Sequence, residues 1–264
     1  MLRCILPMRL LAWTAIAAAS AATVPPAVAA DWTDVRAVGP LVCRADFALR
    51  PYEGLLAELD GLHNDLVRLL GLPLANEAIE IYLFHDEPTY AAYLKQYLPE
   101  MPYRRALYVK GRGPGMVFAF RSPQLPLDLR HETTHALLHA ALPRVPLWLD
   151  EGLAVYLEQP ADRRAVDSPH LSAVRWRARL AAAPRLETLE AKSAAGDWGR
   201  DEYRMAWAWV HFLLHGPPAM RQELAAFLRD LQTDANAAPL SARFNRRESD
   251  VGRAWASHFR QWKG

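Results

Sequence analysis

Two hydrophobic periods divide the chain. Alternation with a spacing of two marks strands in the first half, and a spacing near 3.6 marks helices that dominate the second. "PLVCRADF" (40–47) reads as a first strand. "YEGLLAELDGLHNDLVRLLGL" spaces its apolar residues for a helix and ends at Gly71, just ahead of Pro73. "EAIEIYLF" (77–84) is alternating and β-branched, a strand. "DEPTYAAYLKQYL" (86–98) is a helix with Asp86 as its cap and Pro88 in its first turn. "RRALYVKGRGPGMVFAF" (104–120) reads as two strands around the turn "GRGPG". Pro123 and Pro126 then interrupt, and a helix runs to about residue 141. After "PRVP" comes a second helix, "LWLDEGLAVYLE" (147–158). Helical spacing returns over roughly 168–182, 202–215, 217–232 and 248–262. The order predicts an α+β fold: a small mixed or antiparallel sheet towards the N-terminus and a mainly helical C-terminal half.

Composition changes this picture at one end only. The first thirty residues place Arg3 and Arg9 ahead of the apolar run "LLAWTAIAAASAA", followed by "TVPPAVAA" with small residues at Val28 and Ala30. That layout reads as a secretory signal peptide, and the run is short for a membrane span. The expectation is an exported chain, periplasmic or secreted, with residues 31–264 as one domain and no stable span after cleavage. A soft joint falls at 182–202, either between two lobes or as a loop within one domain. Setting 1–30 aside removes two of 31 basic residues and none of 29 acidic ones, leaving 29 against 29. A neutral chain gives no electrostatic reason to bind nucleic acid or anionic lipid. Cys43 is then the lone cysteine, which excludes an internal disulfide and, in an alternating segment, reads as a buried thiol.

The chemistry concentrates in "LDLRHETTHALLH" (127–139). His131 and His135 stand four apart, one turn above each other on a helix face, so both imidazoles can reach one ion at distances suited to Zn²⁺. Glu132 is offset from that face and placed to take a proton from a water whose pKa the metal lowers. A zinc site with an open position needs a third protein ligand. His139 continues the stripe but lies about 12 Å along the axis from His131, so it is a surface or supporting histidine. Leu138 and Ala141 stand where the metzincin pattern needs glycine and histidine. Glu151 is the remaining candidate. A helix returning antiparallel after "PRVP" brings it beside the histidine pair, with Gly152 letting the two helices approach and Trp148 and Leu149 burying the helix start. Its bland alternative is an exposed helix carboxylate beside Asp150.

"HETTH" followed by "WLDEGLAVY" resembles the gluzincin metallopeptidases, and "PLWLDEGLAVYLE" with the later "EYRMAWAWVHFLL" resembles the bacterial peptidase-MA-like proteins. The likeness covers roughly 76–262 and is specific at 131–158. It implies a zincin-like helix, a zinc site of His131, His135 and Glu151, Glu132 as general base, and Tyr203 as the hydroxyl donor to a tetrahedral oxyanion. Tyr203 also reads as a helix-start aromatic packed under the joint. The strand "GPGMVFAFR" carries neither the asparagine nor the additional glutamate with which the aminopeptidase branch reads a free amine. Endopeptidase activity on a peptide or protein substrate is therefore the expectation, with strand 116–120 at a sheet edge where an extended peptide can add. Arg121, Arg130 and Arg200 read as solvated surface charges.

Other features carry less. His211 and His215 repeat the i, i+4 spacing without a glutamate or third ligand, and read as structural or surface histidines. "GRGPG" lacks the lysine-serine end of a phosphate loop. The tryptophans, including Trp207, Trp209, Trp255 and Trp262, fall at core spacing. Ser168, Ser193 and Ser241 lack a nucleophile-elbow context. Three readings stand beside a zinc peptidase: a non-catalytic zinc module of an envelope assembly, a metal-free helical interaction protein, and a metallohydrolase of a non-peptide amide.

Overall fold

The computed structural model describes residues 31–73, 77–111, 113–180, 183–193, 196, 198–244 and 248–263. The expected signal peptide, residues 1–30, lies outside the described residues, as do Arg112 of the "GRGPG" turn and parts of the 182–202 joint. Among the described residues no helix is long and apolar enough to cross a membrane.

The N-terminal side forms a mixed sheet, and the C-terminal half is helical, as the two periods predict. Strands β1 (Asp34–Val38), β2 (Leu41–Ala45), β3 (Ile79–Phe84), β4 (Ala106–Val109) and β5 (Met116–Phe120) lie in the order β1-β2-β3-β5-β4. β2–β3 and β3–β5 are parallel; β1–β2 and β4–β5 are antiparallel. β1 escapes the sequence pattern because its residues are mostly exposed; it joins β2 through Gly39, whose φ of +55° suits glycine. Helix α1 (Glu53–Leu70) ends at Gly71 in the left-handed region. In α2 (Glu87–Tyr97), Asp86 Oδ1 accepts from the Thr89 amide at 2.9 Å, the expected cap.

Both sheet faces are buried, and strand alternation sorts the side chains between them. Ile79, Ile81, Leu83, Val117, Ala119 and Tyr108 face the main core under the helices. Tyr82, Phe84, Phe118, Leu107 and Met116 face a smaller aromatic core capped by Tyr90 and Tyr93 of α2. Tyr82 and Phe118 stack at 5.0 Å. The sequence placed strand 116–120 at the edge; in the structure β5 is interior and β4 is the edge. A hairpin pattern does not say which of its strands takes the next neighbour, and here β3 claims β5.

The helices continue with α3 (Leu125–Ala141), α4 (Leu147–Leu157), α5 (Leu171–Arg179), α6 (Leu186–Glu190), α7 (Arg200–His215), α8 (Pro218–Thr233), α9 (Leu240–Phe244) and α10 (Glu248–Gln261). α5 is shorter than the spacing suggests, and the short α6 and α9 fall in stretches too brief for a periodic signal. Leu186, Leu189 and Trp198, within the soft joint, are buried in the same core as the sheet and α7. Trp207, Trp209 and Trp255 are core residues, and Cys43 is buried and free.

Candidate metal centre

α3 is buried along nearly its whole length, so each of its polar side chains needs a partner inside the protein. Asp128 accepts two hydrogen bonds from Arg105, at 2.5 and 2.6 Å. Arg130, read from sequence as a solvated charge, is buried: its Nε donates to the Glu158 carbonyl at 2.5 Å and its guanidinium pairs with Glu58 at 2.8 Å. Arg121 and Arg200 are exposed, as read.

α4 returns antiparallel beside α3. Asp150 near its start meets His135 and His139, while Glu158 just past its end meets His131 and Arg130. The turn between them contains Pro143 and Pro146, neither of which can extend a helix as an amide donor. Trp148 and Leu149 are buried at the helix start, and Glu151, far from being an exposed carboxylate, is inaccessible to solvent. Gly152 serves a contact other than the expected one. A Cβ there would lie 2.7 Å from the Ala206 carbonyl oxygen and 2.8 Å from Val210 Cγ2, so it admits α7 rather than α3. Successive helical residues turn by about 100°, which directs Glu151 to one neighbour and Gly152 to the other.

Three donor atoms converge. His131 Nε2 and His135 Nε2 are 3.3 Å apart, and Glu151 Oε2 lies 3.7 Å from the first and 3.8 Å from the second. A tetrahedral ion with ligand bonds of about 2.0–2.1 Å has ligand–ligand edges near 3.4 Å, close to this triangle. The ring orientation fits as well. His135 Nδ1 donates to Asp150 Oδ1 at 2.7 Å, and His131 Nδ1 donates to Glu158 Oε2 at 3.1 Å. With Nδ1 committed to a carboxylate, the neutral imidazole turns its Nε2 lone pair to the centre, the arrangement a cation requires. His131, His135 and Glu151 can therefore hold a metal ion.

The electrostatics favour positive charge at that centre. Burial works against an ionised His131, but hydrogen bonds to Glu151 and Glu158 and the charges of Glu132 and Glu158 outweigh it, leaving its pKa well above the ordinary value. His135 is also raised: burial opposes, and Asp150 and Glu151 prevail. Glu132 is buried beside the triangle, its pKa raised chiefly by desolvation, and its Oε2 has no hydrogen-bond partner among the described residues. Tyr203, on the first turn of α7, is buried; desolvation and the charges of Glu151 and Glu132 hold its hydroxyl protonated. His139 supports from outside, with Nε2 2.9 Å from Asp150 Oδ2.

Asp150, Glu158 and Tyr108 belong to this centre and were not assigned to it from sequence. The first two had a signal: Asp150 precedes Glu151 in the same helix, and Glu158, at its C-cap, lies two turns on from Glu151. Tyr108 had none, because its ring reaches His135 and His139, at 6.4 and 5.6 Å between centroids, only through the sheet. No family model matches the chain and no curated protein matches it, so the gluzincin likeness rests on its own residues at 131–158.

Proposed function

We propose that the protein is an exported zinc-dependent metallopeptidase of gluzincin type that cleaves internal peptide bonds. The observation that carries this reading is the meeting of His131 Nε2, His135 Nε2 and Glu151 Oε2 at 3.3–3.8 Å with the Glu132 carboxylate buried alongside. Two imidazoles and one carboxylate suit Zn²⁺ better than the all-oxygen preference of Mg²⁺ or Ca²⁺. A zinc ion held there supplies a Lewis acid that polarises a carbonyl and lowers the pKa of a water.

The chain's own groups account for the rest. Glu132, desolvated and raised in pKa, takes a proton from the attacking water and passes it to the leaving nitrogen. Tyr203 remains a neutral hydroxyl and donates a hydrogen bond to the carbonyl oxygen as negative charge develops there. β4, the edge strand, offers its outer backbone to an extended peptide, and Tyr108 on that strand packs over the histidines.

Metal analysis and proteolysis of variants test this together. The purified chain is expected to carry one zinc, His135→Ala to lose it, and Glu132→Gln to keep it while losing turnover. Stoichiometric zinc in the His135→Ala protein, or undiminished cleavage by Glu132→Gln, overturns the proposal.

A further inference from the structure

Arg44, Arg105, Arg130 and Arg164 each hold a carboxylate, on Glu80, Asp128, Glu58 and Asp65 respectively. Arg104 does not. It is only partly exposed, its Nε is shut off from water without a hydrogen-bond partner, and no carboxylate pairs with it among the described residues. Leaving a guanidinium partly desolvated and unpaired is costly, so the position calls for an anion from elsewhere.

Its placement says where that anion sits. Arg104 stands two residues ahead of β4, the edge strand beside the metal centre. Its carbonyl accepts a hydrogen bond from the Tyr90 hydroxyl at 2.8 Å, which pins the backbone to α2. The next residue, Arg105, is committed to Asp128 and cannot substitute. Arg105 beside it holds Asp128, which stands one turn ahead of Glu132 on α3, so this end of β4 meets the helix that carries the metal centre. With Arg105 paired to Asp128, Arg104 is the guanidinium at this end of β4 that can receive an anion.

Resting on the metallopeptidase reading above, we infer that Arg104 is a specificity-determining residue that anchors a carboxylate of the substrate peptide close to the scissile bond. The carboxylate belongs either to the peptide's C-terminus or to an aspartate or glutamate side chain. A planar guanidinium binds either one through two parallel hydrogen bonds, which neither lysine nor an amide reproduces.

The test uses the zinc-loaded full chain with mixed hexapeptide libraries in four forms: free or amidated at the C-terminus, and with glutamate or glutamine at the internal positions. The parent is expected to cleave one carboxylate-bearing form with a higher kcat/KM than its neutral counterpart. Loss of a charged hydrogen-bonded pair should reduce that preference roughly ten- to hundredfold in Arg104→Gln, through KM, with zinc content and cleavage of the neutral form unchanged. Arg104→Lys, which keeps the charge, should retain part of the preference. The terminal and side-chain pairs of libraries identify which carboxylate is read. No preference in the parent, or a preference unchanged in Arg104→Gln, overturns the inference while leaving the peptidase reading intact. Equal loss on charged and neutral libraries also overturns it, assigning Arg104 a structural role. If the parent shows no cleavage that Glu132→Gln abolishes, the peptidase reading falls and the inference falls with it.

Discussion

Asp150 is a buried carboxylate whose ionisation survives desolvation. Burial alone would raise its pKa, but the charge and hydrogen bond of His135 and the hydrogen bond of His139 drive it well below the usual carboxylate range. It therefore fixes the His135 ring and keeps Nδ1 the protonated nitrogen. Asp150→Asn removes the charge while conserving shape, and affinity for a metal ion at this centre should fall about 10- to 100-fold, as where other carboxylates support a ligating histidine. Competition against a chromophoric chelator measures this; an affinity equal to the parent's would remove Asp150 from the centre. Cys43 makes a simpler case. Burial pushes its thiol up to about 12, so the folded protein should resist alkylation at neutral pH and react only after denaturation. Mass analysis before and after urea gives the answer.

Helix α4 is apolar on almost every side because it is packed on almost every side: α3 lies against one face and α7 against another. Gly152 sets the distance to α7. Gly152→Ala places a methyl group against a helix carbonyl that cannot move aside, so the unfolding free energy should drop by about 1–3 kcal/mol. Glu151 is the adjacent residue, so metal binding at the His131–His135–Glu151 centre should weaken in the same variant. Denaturant unfolding and chelator competition read the two effects, and a variant as stable as the parent would mean that the helices separate at little cost. The same dense packing explains what periodicity could and could not indicate. α1, with one exposed face, was plain from its spacing; α3, buried all round, announced itself by its histidines rather than by an apolar stripe.

A seam of histidines joins helices across the molecule. His211 Nε2 donates to the Ala165 carbonyl at 3.0 Å, so its Nδ1 must accept, and His258 Nε2 donates to it at 3.0 Å. His215 Nε2 meets the Tyr156 hydroxyl at 2.7 Å, and Trp262 packs against all three rings. Sequence spacing offers His211 and His215 as structural or surface residues; His211 is buried with both ring nitrogens bonded within the protein. Burial, aided by the charge of the neighbouring histidines, lowers His211 to about 3 and His258 to about 4. Burial and Arg221 also lower His215. Their folded values lie below the unfolded value of about 6.5, so the unfolded chain binds more protons between the two. The stability they confer is complete above about pH 6.5 and is lost as pH falls towards 4, a change on the order of a few kcal/mol. His131 and His135 shift upward and act with the opposite sign, so the comparison is with His258→Gln, whose stability should depend less steeply on pH. Urea unfolding between pH 4 and 7 under excess chelator makes that comparison, with pH values chosen from these shifts; parallel curves for the two proteins would clear the seam of any part in acid sensitivity.

Local chemistry sufficed for the two hydrophobic periods, the Asp86 cap, the Gly71 terminator, the i, i+4 pairing of His131 with His135 and the nomination of Glu151, because each depends on neighbours within a turn or on a helix returning after a short loop. The rest needed distant segments to meet. Which strand forms the sheet edge, which helix Gly152 admits, why Arg130 is buried, and how Asp150, Glu158 and Tyr108 gather about one centre all follow from packing between elements far apart in the chain. Spacing along a chain reports which side chains share a face; only the fold establishes what that face is pressed against, and it is that contact which sets burial, charge and partner.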